Sequence, residues 1–206
     1  MPLCNRVTPF GELVASPARG LFMGNRGGRI HDAVRALGAR RWTSKQWICC
    51  RLKFNGRRRK VWGDGYTELF FLDEVSALAA GHRPCFECRR KDAEAFASCW
   101  QRAQDMGVRP RAAAMDDVLH AERLNGRSKR THLQTLDHLP DGAFVALDGE
   151  AFALHDNRLL RWTPAGYAGS HRTPRTQAVD VLTPPSILAV LAAGYRPHWH
   201  PSAQCG

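Results

Sequence analysis

The sequence predicts an α+β protein: an antiparallel three-stranded sheet with helices, followed by a small β-meander with further helices. Short runs of aromatic and β-branched residues end at Gly, Asn or Asp, which is typical of antiparallel strands joined by tight turns. Apolar residues also recur at helical spacing over 90–106 and 184–193. Because 44% of the 206 residues are hydrophobic, the chain has enough apolar side chains to form a core.

The first half is predicted to contain three strands, at residues 47–54, 57–62 and 66–72. Asn55-Gly56 favours a type I′ turn, so the first two strands should form a hairpin. Residues 1–30 show no clear periodicity, and their glycine-rich segment 24–29 is expected to be a flexible cationic loop. A short helix is predicted over 31–37.

Caps and turns predict the remaining elements. Asp73 is a good N-cap and Gly81 a good stop for a short helix, and a further helix should begin at Asp116 or Asp117. The last part should contain strands at 143–147, 151–154, 158–162 and 178–182 and a helix at 184–193. The chain is thus divided into a basic metal-binding part, 1–110, and an α+β part, 111–206, which can pack as one body.

A Cys-x-x-Cys turn is the most specific motif of the chain. Cys85 and Cys88 directly follow Pro84, and their spacing lets two thiolates converge on one tetrahedral metal ion, for which zinc is the expected identity. The alternative interpretation is that Cys85 and Cys88 are two buried free thiols that bind no metal.

The third and fourth ligands are less well defined. Cys49 and Cys50 are adjacent, and neighbouring side chains of a strand point to opposite faces. One of the two is therefore expected to be a ligand, with Cys50 slightly preferred. His31 is the first candidate for the fourth ligand, and His82 or a water molecule are the alternatives.

The segment around this turn resembles the N-terminal zinc domain of the bacterial adaptive-response (Ada) proteins and related small zinc modules of some nucleases. The similarity covers about 48–90 and rests on Phe70-Phe71, 77–81, Arg83-Pro84-Cys85 and Cys88. It implies a four-ligand zinc site and a role in DNA repair or processing. The Ada pattern has two well-separated upstream cysteines, whereas this chain has an adjacent pair, so the methyl-acceptor chemistry of Ada is only weakly implied. The segment also resembles a bacterial family that implies no particular activity.

Positive charge is concentrated in the first third of the chain. Residues 1–62 hold 14 Lys and Arg against two acids, whereas the remainder holds 16 against 17. A localised basic surface is typical of proteins that bind nucleic acid, and the alternative is a solvated basic face without a partner. Of the two nucleic acids, DNA is the expected partner ahead of RNA. The candidate phosphate contacts are Arg26, Arg29, Arg57, Arg58, Arg59 and Lys60.

An enzyme is the alternative to a binding protein. Zinc nucleobase deaminases carry His-x-Glu followed by Pro-Cys-x-x-Cys, and this chain has both pieces in the reverse order, with His120 and Glu122 downstream of the cysteines. On one continuous helix these two side chains would point to nearly opposite sides. A zinc-dependent hydrolase acting on nucleic acid or a nucleotide-like substrate is the broader version. The candidate catalytic residues are His120, Glu122, His171, His198 and His200.

The segment that contains His198 and His200 is similar to the cysteine segment. Residues 78–87 and 191–200 share a Leu-Ala-Ala-Gly-aromatic-Arg-Pro pattern, which indicates either a duplicated unit or two similar helix ends. The odd number of cysteines, seven, and the lack of a basic leader with an apolar stretch predict a reducing, cytoplasmic location. No apolar run approaches the length of about 20 residues that a membrane span needs.

Overall fold

The computed structural model describes residues 1–57, 60–171, 174 and 176–204. In this part of the chain it contains two six-stranded sheets, a two-stranded ribbon and four α-helices, so the predicted α+β class is confirmed. The helices are α1 Glu74–Ala79, α2 Arg90–Ala103, α3 Ala112–Arg123 and α4 Pro185–Ala192. None of them is long and apolar enough to cross a membrane.

The first sheet has the strand order β2-β1-β5-β3-β4-β6 and is mixed. Its strands are β1 Cys4–Val7, β2 Leu13–Ala15, β3 Phe22–Arg26, β4 Trp47–Arg51, β5 Leu69–Phe71 and β6 Arg83–Pro84. β1 runs parallel to β5 and β4 parallel to β6, whereas the other neighbours are antiparallel. The three-stranded antiparallel sheet predicted from the sequence is not what the structure shows.

The difference arises in the first thirty residues. Three strands lie in the region that was expected to be irregular, and β4 pairs with β3 and β6. Among the described residues it has no hairpin partner after Asn55-Gly56, and Arg58 and Arg59 of the expected strand 57–62 lie outside the described residues. Gly24 belongs to β3, where a Cβ atom would lie 2.0 Å from the carbonyl oxygen of Ile48. This glycine therefore permits a close approach of two strands and does not mark a loop.

The second sheet has the order β13-β12-β11-β10-β14-β9 and is antiparallel. Its strands are β9 His132–Thr135, β10 Phe144–Leu147, β11 Glu150–His155, β12 Arg158–Thr163, β13 Gly166–His171 and β14 Ala178–Val181, and the small ribbon is β7 Leu124–Asn125 with β8 Ser128–Lys129. The meander lies where the sequence predicts it, because Asp148-Gly149 and Asp156-Asn157 adopt the positive φ angles of tight hairpin turns.

Two helical predictions need correction. Residues 31–37 form a turn closed by an isolated bridge between His31 and Leu37, with no helix. Neither Asp116 nor Asp117 caps α3, which begins at Ala112. Asp116 instead lies in the second turn of the helix, where its carboxylate binds a buried arginine.

The two halves of the chain share buried contacts. One core cluster combines Leu78 of α1, Phe96 of α2, Leu119 of α3 and Val190 of α4. Two adjacent carboxylates at the start of α1 also form hydrogen bonds with the second half of the chain. Asp73 accepts one from the hydroxyl of Tyr167 (2.8 Å), and Glu74 accepts one from the hydroxyl of Tyr195 (2.6 Å). The predicted division at residue 110 stays a prediction, and these contacts join its two parts.

Candidate metal centre

Three cysteine side chains converge beside the first sheet. The sulfur atoms of Cys50, Cys85 and Cys88, called here the cysteine cluster, all lie within 4.8 Å of one another. All three residues are buried. Three thiolates around a zinc ion at about 2.3 Å would lie about 3.8 Å apart, so the cluster is compact enough to hold a metal ion.

The local backbone explains why these cysteines meet. β4 and β6 run parallel and place Pro84 beside Cys49, whose carbonyl oxygen accepts a hydrogen bond from the backbone N–H of Cys85 (3.0 Å). The chain then turns into α2, so that Cys88 comes back towards β4 and its sulfur accepts a hydrogen bond from the backbone N–H of Arg51 (3.4 Å). Such N–H groups support the negative charge of thiolate ligands.

The thiols of the cluster perturb one another. Hydrogen bonds with Cys85 and Cys88 raise the pKa of Cys50, and hydrogen bonds from Cys50 and Cys88 lower the pKa of Cys85. The group therefore stabilises negative charge on one sulfur and retains protons on the others. A bound divalent cation would displace those protons, because metal ligands must be deprotonated.

Cys49 points away from the cluster, as the alternation along a strand requires. It is fully buried among Val7, Leu69 and Phe71, and its sulfur accepts a hydrogen bond from a guanidinium nitrogen of Arg89 (3.4 Å). Burial raises the pKa of its thiol. The structure thus brings Cys50, and not Cys49, to the Cys-x-x-Cys turn.

The structure does not bring His31 to the cysteine cluster. Its Nδ1 lies 2.6 Å from the hydroxyl oxygen of Thr67, its Nε2 lies 3.0 Å from the carbonyl oxygen of Gly63, and its ring stacks on Trp62. His82 is also engaged, because its Nε2 accepts a hydrogen bond from Arg26 (3.3 Å). Within the described residues the cluster therefore has three potential protein ligands.

A second group of potential ligands is Asp141, His155 and Asp156, of which the two carboxylates are exposed. Asp141 accepts hydrogen bonds from the backbone N–H of Asp156 (2.8 Å) and contacts Nδ1 of His155 (3.1 Å). These contacts are those of an ordinary polar turn, and exposed acidic groups of this kind are common without a metal.

His120 and Glu122 have separate structural contacts. Nδ1 of His120 lies 3.0 Å from a guanidinium nitrogen of Arg123, whereas the carboxylate of Glu122 accepts hydrogen bonds from the backbone N–H (2.9 Å) and the hydroxyl (2.6 Å) of Ser186 at the start of α4. The two side chains thus face different partners, and neither belongs to the cysteine cluster.

The remaining candidate catalytic histidines are dispersed. His171 is exposed at the end of β13, His198 is exposed and its ring lies beside Phe22, and Nδ1 of His200 contacts the hydroxyl of Ser202 (2.8 Å). The described residues show no metal-ligand group that includes any of these three histidines.

The six candidate phosphate contacts lie in different environments. Arg29, Arg57 and Lys60 are exposed, and Arg57 forms an ion pair with Glu87 of the Cys-x-x-Cys turn (2.6 Å). Arg26 is buried in β3, contrary to the expected flexible loop. Arg58 and Arg59 lie outside the described residues.

Sequence reasoning missed Arg123 and Lys129, which line a cavity together with Arg26. No spacing rule connects these three residues, because they come from β3, α3 and β8. The one available signal was the density of tryptophans beside arginines at 40–47.

No protein-family model, no curated protein and no solved structure matches this chain. The fold and the site define a class: a mixed α+β protein whose buried cysteine cluster could hold a metal ion.

Proposed function

We propose that this protein binds nucleic acid, with DNA as the expected partner ahead of RNA, through a surface that a zinc ion at the cysteine cluster holds in place. The resemblance to the Ada zinc domain is part of this proposal. The observation that carries it is the direct attachment of the cysteine cluster to the most basic segment of the chain, residues 51–60.

Zinc is the metal that best suits the donor set. Thiolates are soft ligands, and buried clusters of thiolates at tetrahedral spacing bind zinc in structural sites. The cluster packs against buried Met23 and against four partly buried residues, which are Ile48, Phe54, Tyr66 and Phe70. Three sulfur ligands leave one coordination position for a fourth ligand, which we assign to a water molecule.

The basic segment 51–60 contains six Lys and Arg residues and no acid. It contacts the Cys-x-x-Cys turn at two points. The backbone N–H of Arg51 donates to the sulfur of Cys88, and the exposed side chain of Arg57 forms an ion pair with Glu87. When exposed cations of a protein neutralise nucleic-acid phosphates, the counterions condensed on the nucleic acid are released, and this release supplies much of the affinity for the backbone.

The binding test compares two double variants that each remove two positive charges. Arg57→Ala with Lys60→Ala should weaken binding of a fluorescent duplex oligonucleotide and reduce the slope of log K against log salt by about 1.8, because each lost phosphate contact contributes about 0.9. Arg109→Ala with Arg111→Ala is the control, since both residues are exposed before α3 and remote in sequence from the basic segment. Equal effects of the two variants, or no binding by the wild type at low salt, would refute the proposal.

The metal test uses the adjacent cysteines as a matched pair. Metal analysis should find one zinc per chain in the wild type and in Cys49→Ser, and much less in Cys50→Ser, because only Cys50 lies in the cluster. X-ray absorption at the zinc edge should show three sulfur neighbours and one lighter atom. Zinc retained by Cys50→Ser, or purified protein that is metal-free and indifferent to chelators, would contradict the assignment.

The alternative, a zinc-dependent hydrolase or deaminase, has less support. Such an enzyme needs an acid–base group beside the metal. Glu122 is engaged with Ser186, His120 contacts Arg123, and neither lies in the cysteine cluster.

A further inference from the structure

A cavity of about 500 Å³ opens beside β4, at the end of that strand opposite to the cysteine cluster. We call it the Trp47 cavity. Five cationic residues and three aromatic residues line it, whereas Glu12 is the one acid in its lining: the cations are Arg26, Arg41, Arg123, Arg127 and Lys129, and the aromatic residues are Phe10, Trp42 and Trp47.

Two buried arginines contact the ring of Trp47. The guanidinium carbons of Arg26 and Arg123 each lie 3.9 Å from the centroid of this ring. All three residues are at most 3% exposed. Cation–π contacts stabilise such an arrangement, but they do not neutralise the two charges.

The hydrogen bonds of these cations go to neutral groups. Arg26 donates to the carbonyl oxygen of Gly11 (2.7 Å), Arg123 to that of Gly81 (2.9 Å), and Lys129 to that of Ala79. Within the described residues none of the three forms an ion pair. The nearby Asp116 is already bound by Arg83 through both carboxylate oxygens.

Two N–H donors of the same group also have no acceptor among the described residues: Nε of Arg123 and Nε1 of Trp47. Buried N–H groups and buried charges without partners each cost free energy, so a group of several marks a place where a partner is missing.

The electrostatics agree with the geometry. Burial, with further contributions from Arg123 and Arg41, lowers the pKa of Arg26 to about 9, and burial also lowers the pKa of Arg123 to about 9. Burial and the charges of both arginines lower the pKa of Lys129 to about 7. An anion in the cavity would relieve this repulsion.

We propose that the Trp47 cavity binds a nucleotide through its phosphate, with the base against Trp42. Guanidinium groups match the oxygens of a phosphate, and aromatic side chains stack on bases. Trp42 is half-buried and lines the cavity, Arg127 is exposed at its rim, and the volume lies within the range of small-molecule sites, about 300–1,000 Å³.

The nucleotide could be free or could be the terminal nucleotide of a strand, because both present the same chemistry. This site differs from the proposed zinc-supported surface, since Trp47 and Cys50 lie on opposite faces of β4. Binding of a mononucleotide is measured without any oligonucleotide. A negative result would therefore overturn this inference and leave the nucleic-acid proposal to its own test.

The experiment is calorimetric titration of the full chain with adenosine 5′-monophosphate, adenosine and inorganic phosphate at equal ionic strength. The monophosphate should bind at least tenfold more tightly than either adenosine or inorganic phosphate. Equal binding of the monophosphate and adenosine would overturn the role of the cations. Equal binding of the monophosphate and inorganic phosphate would overturn the role of the base, and no binding at millimolar concentration would overturn the whole inference.

Two variants and a control locate the site. Lys129→Gln should weaken binding of the monophosphate at least tenfold, and Trp42→Leu should weaken the monophosphate but not inorganic phosphate. Arg109→Ala with Arg111→Ala should bind as the wild type does. Unchanged binding by a folded Lys129→Gln variant, judged by its melting curve, would place the ligand elsewhere and refute the proposal.

The two sources of nucleotide are then separated with oligonucleotides. If the terminal nucleotide is the ligand, a 5′-phosphorylated strand should compete with the monophosphate at least tenfold better than the same strand with a 5′-hydroxyl. If free nucleotide is the ligand, the two strands should compete equally while the monophosphate still binds.

Discussion

The buried ion pair between Arg83 and Asp116 gives the sharpest test of how the cysteine turn is held. Nε of Arg83 donates to one carboxylate oxygen (2.9 Å) and a terminal nitrogen to the other (2.7 Å), and both side chains are at most 7% exposed. Arg83 also donates to the carbonyl oxygen of Pro84 (3.1 Å). The pair therefore connects α3 to the residues just before Cys85.

The perturbation is Asp116→Asn, which keeps the size of the side chain and removes its charge. A buried charge left without its partner typically costs about 3–5 kcal/mol. For a chain of this length each kcal/mol lowers Tm by about 2–4 °C, so the expected shift is about 6–20 °C. Asp117→Asn is the matched control, because its pair with Lys45 is exposed and should contribute at most about 1 kcal/mol.

The measurement is thermal and urea unfolding of the two variants at constant zinc concentration, which compares their losses of stability. A loss below about 1 kcal/mol in Asp116→Asn, or equal losses in the two variants, would show that the buried charge is compensated in some other way. Zinc content should also fall in Asp116→Asn if the pair positions the cysteine turn.

Three further predictions concern single residues. Gly81→Ala should lower the free energy of unfolding, measured in urea, by about 1–2 kcal/mol or more, because φ is +81° and a Cβ atom would lie 2.6 Å from Cδ of Arg123. Gly107→Ala is the control: its site has open space, so the free energy of unfolding should change by less than about 0.5 kcal/mol. Burial, together with the charges of Arg26 and Arg123, lowers the pKa of His82, so the imidazole of His82 stays neutral in the folded protein. The free energy of unfolding should therefore fall as the pH drops below about 6.5, by up to about 1.4 kcal/mol per pH unit, and His82→Gln should flatten that profile. Tyr195→Phe removes a 2.6 Å hydrogen bond to the buried carboxylate of Glu74 and should cost about 1.5–3 kcal/mol; a loss near zero would mean that water replaces the hydroxyl.

The features that the sequence predicted correctly depend on local chemistry. Asp73 caps α1 and forms a reciprocal capping box with Ser76, and Gly81 ends the helix with a positive φ angle. The turns of the meander are likewise determined by the residue pairs Asp148-Gly149 and Asp156-Asn157, which favour positive φ angles. Gly194 also has a positive φ angle, so the two echoing segments end their helices in the same way, which neither supports nor opposes a duplication.

The features that the sequence did not predict depend on distant partners. β1 pairs in parallel with β5, placing Arg6 beside Phe70, and no local pattern indicates such a pairing. Alternation along β4 showed that Cys49 and Cys50 face opposite sides, but only the position of β6 determines which of them meets the Cys-x-x-Cys turn. Amino-acid composition likewise gives no indication that a charged residue such as Arg26 is buried.

The carboxylates of Asp73 and Glu74 have a consequence for biosynthesis. Asp73 accepts a hydrogen bond from the backbone of His200, and Glu74 accepts one from the backbone of His198, so residues near 200 complete an environment that begins near residue 70. During translation these acids leave the ribosome long before their donors do. Until the segment near residue 200 has been made, both carboxylates lack these two donors, so this region can complete its native hydrogen bonds only late in synthesis.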